Sequence, residues 1–224
     1  MGASVATRVN LPNYITLTRI ASIPLLIWIL SSSRFSSQYG EKELLASTVF
    51  ILASITDGID GYLARKRGQI TTLGMLLDPL ADKLLIAAAF VTLVQFNPAM
   101  VPAWMAVVII GREFLVSGLR SIAASEGFTI EASDLGKFKM LVQIISVVAV
   151  ILAHRWHEWP LFSFYIFPVY WIAFAAIWFM VLLSLVSAVD YFIAFWSRID
   201  RKSEKRRRRA FVLSRRRKRD VQAV

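Results

Sequence analysis

Four aspartates define the chemistry this chain could perform. Asp57 and Asp60 are three residues apart and Asp78 and Asp82 four apart, so each pair lies on one face of a helix. The first pair closes an apolar run from Leu44 to Thr56, and the second opens another from Leu84 to Phe96. Both pairs are therefore expected just inside a membrane, at the same surface. An acidic residue costs about 2.5–3.5 kcal/mol near the bilayer centre, less towards the interface, and packing returns none of it. A divalent cation does. Grouped carboxylates repel one another, whereas a hard cation such as Mg²⁺ takes oxygen ligands and holds them ionised.

The residues between the pairs are small or basic. Gly58, Gly61 and Ala64 let a large polar group lie close against the first helix. Arg65, at that helix's end, offers a planar fork suited to phosphate. Gly74 is placed just before the second helix, where a turn brings the pairs together. Ordinary acidic helix ends paired with Arg65, Lys66 and Arg67 are the plainer reading of the same residues.

The elements that must hold these groups are membrane helices. The chain has 224 residues, is 57% hydrophobic and has mean hydropathy +0.58, too apolar for a soluble domain. It has no cysteine, which excludes disulfides and thiolate metal sites and leaves oxygen ligands or the two histidines, His154 and His157. The fold class expected is all-α, a polytopic membrane protein with six transmembrane helices. An interfacial segment (11–20) leads into a first span ending near Leu30; further spans cover roughly 43–64, 76–96, 102–122, a stretch ending near Ala153, and 168–196. The loop with Trp156, Trp159 and Tyr165 reads as an interfacial aromatic belt, and Glu41, Glu43, Glu126, Glu131 and Glu158 as loop charges. No small-residue cleavage site follows the first apolar segment, so it is kept as structure.

Charge sets orientation. Residues 198–224 carry 13 Lys/Arg against 3 Asp/Glu, nearly all of the net +11, so the chain divides into a membrane domain (1–197) and a basic tail (198–224). Such a tail suits an anionic leaflet. Nucleic acid is not expected as a partner, because Phe211 alone is interleaved among the basic runs. Arg65, Lys66 and Arg67, Lys137 with Lys139, and the tail fall on one side of a six-span arrangement, while the other side has only Arg34, Lys42 and Arg155. The basic side is expected to be cytoplasmic, with both termini and the four aspartates there.

A second constellation occupies 111–139. Arg112 interrupts an apolar span and must face the bundle interior or a wet cavity. Arg120, about two turns on, can share its face. With Lys137 and Lys139 these arginines make a basic pocket; Glu113 is a possible partner for Arg112, although neighbouring helical residues point in different directions.

The order Asp57-Gly58, Asp60-Gly61, Ala64-Arg65, then Gly74, Asp78 and Asp82 resembles the signature of the CDP-alcohol phosphotransferase family. Asn13, Thr16 and Arg19 resemble the same family's N-terminal element at the nucleotide end of its site. The stretch from Arg112 to Arg120, followed by Lys137 and Lys139, resembles the branch of bacterial phosphatidylglycerophosphate synthases, except that Met140 stands where that pattern has threonine. The resemblance covers most of 11–145. It implies transfer of the phosphatidyl group of CDP-diacylglycerol to glycerol 3-phosphate, releasing CMP, in phospholipid biosynthesis in the bacterial cell membrane. It further implies two divalent ions, Mg²⁺ or Mn²⁺, on Asp57, Asp60 and Asp78 with Asp82 completing the second site and serving as general base. CDP is expected against Asn13, Thr16, Gly58, Gly61, Ala64, Arg65 and Gly74, and the acceptor phosphate on Arg112, Arg120, Lys137 and Lys139. A homodimer is implied. The alternatives are a family member using an inositol phosphate or phosphatidylglycerol acceptor, a membrane cation carrier, which the absence of an internal repeat disfavours, and an intramembrane aspartyl protease, which two spaced pairs fit poorly.

Overall fold

The apolar runs become six helices in the computed structural model: α1 (Leu11–Ser31), α2 (Glu41–Arg67), α3 (Thr72–Phe96), α4 (Ala103–Ser125), α5 (Leu135–Ala153) and α6 (Val169–Gln222), with strands β1 (Trp159–Phe162) and β2 (Tyr165–Phe167) between the last two. The structure describes residues 11–32, 39–67, 72–128, 135–162 and 165–222, and side chains within 17–32, 39–56, 80–128, 138–159 and 167–200.

Contacts between helix ends fix the up-and-down order. Lys42 Nζ at the start of α2 donates to the Ser32 carbonyl just past α1 (3.2 Å) and lies 5.2 Å from the centre of the Phe96 ring at the end of α3. Phe96 in turn meets His154 just past α5, with ring centroids 4.0 Å apart. His157 stacks on Tyr170 in the first turn of α6 at 5.1 Å. One end of the bundle, the far end below, therefore gathers the ends of α1, α3 and α5 and the starts of α2 and α6. The opposite, near end gathers the start of α1, the end of α2, the starts of α3 and α5 and the end of α4.

Local chemistry sets the helix limits. Pro102 caps α4 with extended backbone (φ −64°, ψ 151°); proline there lacks only an N–H that the first turn would leave unbonded. At its other end Gly127 takes φ +73°, Phe128 N–H reaches the Ala123 carbonyl and Gly127 N–H that of Ala124, the paired bonds of a Schellman closure. Gly40 (φ +78°) is held for two reasons: the left-handed turn into α2 favours glycine, and a Cβ there would collide with the Trp156 indole.

Four expectations change. The interfacial segment and first span are one helix, α1, which runs through Pro24. The loop expected between the fifth and sixth spans contains an antiparallel hairpin pairing Trp159 with Phe167; bulky β-favouring residues in both strands favour it. The boundary at 197/198 falls inside α6, whose 54 residues make a rod about 80 Å long. Glu43 is buried, at 0% exposure, rather than a loop charge, because the first turn of α2 directs it into the far end beside Lys42 and His154.

Apolar packing lies in the middle of the bundle, around Phe50, Phe90, Ile109, Ile151 and Met180. The outside is apolar as well: Trp171 is 68% and Val107 69% exposed, whereas Lys139 is 5% exposed. Among the described residues one stretch, Val169–Asp200, is by itself long and apolar enough to cross a membrane (mean hydropathy 2.5); Leu17–Ser31 and Phe138–Ala153 are shorter apolar helices. In α4, Arg112, Glu113 and Arg120 interrupt the apolar run.

Candidate active site

Two clusters occupy the near end. In the first, α2 carries Asp57 and Asp60 towards its C-terminus and α3 carries Asp78 and Asp82 in its N-terminal half. The antiparallel arrangement of the two helices puts the C-terminal end of α2 and the N-terminal end of α3 at the same end of the bundle. Gly74 is within α3, which starts at Thr72, rather than before it. Gly58, Gly61, Ala64 and Arg65 lie on α2, and Asn13 and Thr16 near the start of α1. The side chains of Asn13, Thr16, Asp57, Asp60, Ala64, Arg65, Asp78 and Lys137 are outside the described residues, as are those of Glu131 and Tyr165. Among the described residues no group of three or more potential ligands converges.

Asp82 is described and is held from a third helix. Arg19 Nη1 on α1 donates to Asp82 Oδ1 at 2.8 Å, with the arginine side chain 1% and the aspartate side chain 42% exposed. Arg19 thus stands inside the protein rather than reaching out to the membrane surface. The buried guanidinium holds a partly exposed carboxylate, which ties the N-terminal element to the aspartate signature.

The second cluster joins α4, α5 and α6. Arg112 Nη2 donates to Ser187 Oγ on α6, and Arg120 donates through Nε and Nη2 to Tyr191 Oη at 3.3 and 3.0 Å. Both arginines therefore face α6, as their two-turn spacing predicts. Lys139 on α5 donates to Glu113 Oε1, and Arg112 Nη1 reaches the same oxygen only at 3.4 Å. Glu113 serves Lys139 first and Arg112 second, because its own helix turns it away from its neighbour. Arg112 is largely buried, and its Nε has no hydrogen-bond partner among the described residues. Of the three cations Arg112, Arg120 and Lys139, the first and last share the Glu113 carboxylate and Arg120 is held by a hydroxyl. Two of them are oriented by hydroxyls, which leave their charge intact, and the set can receive an anion.

Ser187 and Tyr191 went unread in the sequence. They belong to an apolar helix where a serine and a tyrosine draw no notice. Their signal is the spacing Ser184, Ser187, Tyr191, a polar stripe on one helical face.

A family model described as CDP-alcohol phosphatidyltransferase matches residues 9–186. The chain belongs to this family. It is 43% identical over 197 residues to the CDP-diacylglycerol–glycerol-3-phosphate 3-phosphatidyltransferase of Bacillus subtilis, covering 84% of this chain and 95% of that protein. The protein of the same name from Rickettsia bellii is 40% identical over 137 residues, 61% of this chain and 72% of its own length. Among solved structures, the phosphatidylinositol phosphate synthase of Mycobacterium tuberculosis in apo form aligns with TM-score 0.60 at 17% identity, over 84% of this chain and 91% of that one. The same synthase in complex with manganese and citrate aligns with TM-score 0.57 at 18% identity, over 83% and 80%. At these identities the likeness is one of fold. This transferase thus shares its helical fold with a phosphatidylinositol phosphate synthase and aligns over more than half of its length with two relatives named for a glycerol 3-phosphate acceptor.

Proposed function

We propose that this transferase moves the phosphatidyl group of CDP-diacylglycerol to sn-glycerol 3-phosphate, forming phosphatidylglycerophosphate and releasing CMP. The observation that supports a phosphorylated acceptor is the second cluster, in which Arg112 and Lys139 share the carboxylate of Glu113 and Arg120 is held by the Tyr191 hydroxyl. A phosphorylated alcohol needs that surplus of positive charge; an uncharged one does not. The relatives' names point to the same acceptor.

In this reading CDP-diacylglycerol lies with its acyl chains in the leaflet and its CDP against α2 and α3, near Gly58, Gly61, Ala64, Arg65 and Gly74, with Asn13 and Thr16 at the nucleotide end. Four carboxylates from two helices are a hard oxygen donor set that suits Mg²⁺ or Mn²⁺. Asp57, Asp60 and Asp78 would hold two such ions with Asp82 completing the second site, and the ions would neutralise the diphosphate and the departing CMP. Arg112, Arg120, Lys137 and Lys139 hold the acceptor phosphate and so orient its hydroxyl. That hydroxyl oxygen attacks the β-phosphorus, the bond from phosphorus to the CMP oxygen breaks, and Asp82, aimed by Arg19, receives the hydroxyl proton.

The same reading places six spans in a bacterial cell membrane, with both termini and the site cytoplasmic, the basic tail on the anionic leaflet, and two copies forming a dimer. It is supported by the apolar exterior, by buried charge at the near end, and by helices of 19 residues or more, close to the ~20 that a bilayer core requires. The deciding assay offers purified protein CDP-diacylglycerol with a panel of alcohols, with Mg²⁺ present or chelated. CMP release that requires both glycerol 3-phosphate and metal is expected. Preference for an inositol phosphate or phosphatidylglycerol would overturn the acceptor assignment, and metal flux in liposomes without CMP formation would overturn the reaction.

A further inference from the structure

Helix α6 contributes nothing to the aspartate signature, yet it supplies a partner to each arginine of the second cluster. Helices α4 and α6 run parallel, with Trp104 against Trp178 (5.7 Å) near the far end and Phe128 against Phe195 (6.1 Å) beyond the cluster. Between these ring pairs, Arg112 meets Ser187 and Arg120 meets Tyr191. The two α6 residues are one turn apart and the two arginines two turns apart, so the hydroxyls draw the guanidinium groups towards each other.

The chemistry of these partners matters. Arg112 already shares Glu113 with Lys139; a further carboxylate from α6 would cancel the remaining positive charge, whereas a hydroxyl oxygen accepts from an arginine and leaves its charge in place. Tyr191 Oη accepts two N–H groups of one guanidinium, which fixes the plane of that group. Its own hydrogen stays available for a further acceptor. Tyr191 is 9% exposed, while Arg120 belongs to the outer part of the cluster and has no acidic partner among the ion pairs of the described residues.

We propose that Tyr191 and Ser187 are positioning residues of the acceptor subsite, holding Arg120 and Arg112 in the orientation that receives a phosphate. Tyr191 additionally offers its hydroxyl proton to that phosphate. The inference rests on the assignment of this cluster to a phosphorylated acceptor.

The test compares wild type, Tyr191→Phe, Ser187→Ala and Ser187→Thr as full-length protein in detergent. CMP release is measured against each substrate in turn, with inorganic phosphate as a competing anion. Tyr191→Phe should raise KM for glycerol 3-phosphate and the inhibition constant for phosphate about tenfold. Both kcat and KM for CDP-diacylglycerol should stay within about twofold. Ser187→Ala should act in the same direction by about three- to fivefold, and Ser187→Thr, which keeps a hydroxyl, should restore the wild-type value. In an Arg120→Gln background Tyr191→Phe should add little, since the two act through one contact. Equal losses for both substrates, a change in kcat alone, or full additivity with Arg120→Gln would overturn the proposal. A wild type that ignores glycerol 3-phosphate but uses another alcohol would overturn the acceptor assignment instead. The phosphate inhibition constants would then still decide the roles of Tyr191 and Ser187.

Discussion

The two ends of the bundle both contain charged residues inside an otherwise apolar protein, but they handle that charge differently. At the far end Lys42 is occupied by a backbone carbonyl and an aromatic ring, and His154 packs against the same ring. Those charges are absorbed by the closure of helix ends. At the near end Arg112 and Arg120 are aimed by hydroxyls, and one glutamate serves two cations. At the near end three cations stand with one glutamate, whereas at the far end the buried Glu43 lies beside Lys42 and His154.

Substitutions at either end can break this contrast. The largest effect is expected at the aspartates: Asp78→Asn, or chelation of divalent metal, should reduce CMP release at least about a thousandfold, and near-normal turnover would rule out the metal assignment. Arg112→Gln should raise KM for glycerol 3-phosphate roughly 10- to 100-fold. Lys42→Gln, at the opposite end, should leave that constant unchanged; if both shift it alike, the difference between the ends is unfounded. Gly40→Ala tests the far end as construction. A non-glycine residue at positive φ, pressed against Trp156, should cost about 2 kcal/mol or more, read as a lower thermal unfolding midpoint with unchanged KM values.

The smallest effect concerns pH. Burial lowers the pKa of His154 below the ordinary imidazole value, with Lys42 adding to the shift and Glu43 opposing it. The unfolded chain then binds a proton that the folded chain refuses, in the window from about 6.5, the ordinary histidine value, downward. Stability should fall slightly as pH drops through that window and be unaffected above it. His154→Gln should flatten the dependence, measured as unfolding midpoint against pH.

Much of this was legible in the sequence, for identifiable reasons. Charges interrupting long apolar runs are conspicuous, so Asp57, Asp60, Asp78, Asp82, Arg112 and Arg120 stood out, and helical spacing correctly paired the two arginines on one face. The helix limits were less clear. Helix α3 starts at Thr72, ahead of Gly74, although a glycine locally favours a helix boundary. The hairpin at Trp159–Phe167 was hidden in an aromatic loop read only for its membrane preference. Glu43 looked like a loop charge because burial of a helix's first turn is decided by what packs over it. Ser187 and Tyr191 were invisible because a hydroxyl in an apolar helix acquires a role only when a guanidinium from another helix arrives beside it.

The parallel seam between α4 and α6 has a consequence for biosynthesis. Ser187 and Tyr191 sit on the last of the six helices to emerge from the ribosome, while the arginines they orient are laid down two helices earlier. Until that final segment packs against the others, Arg112 and Arg120 lack these anchors, so the second cluster takes its shape late in assembly, after the aspartate-bearing pair has already been made.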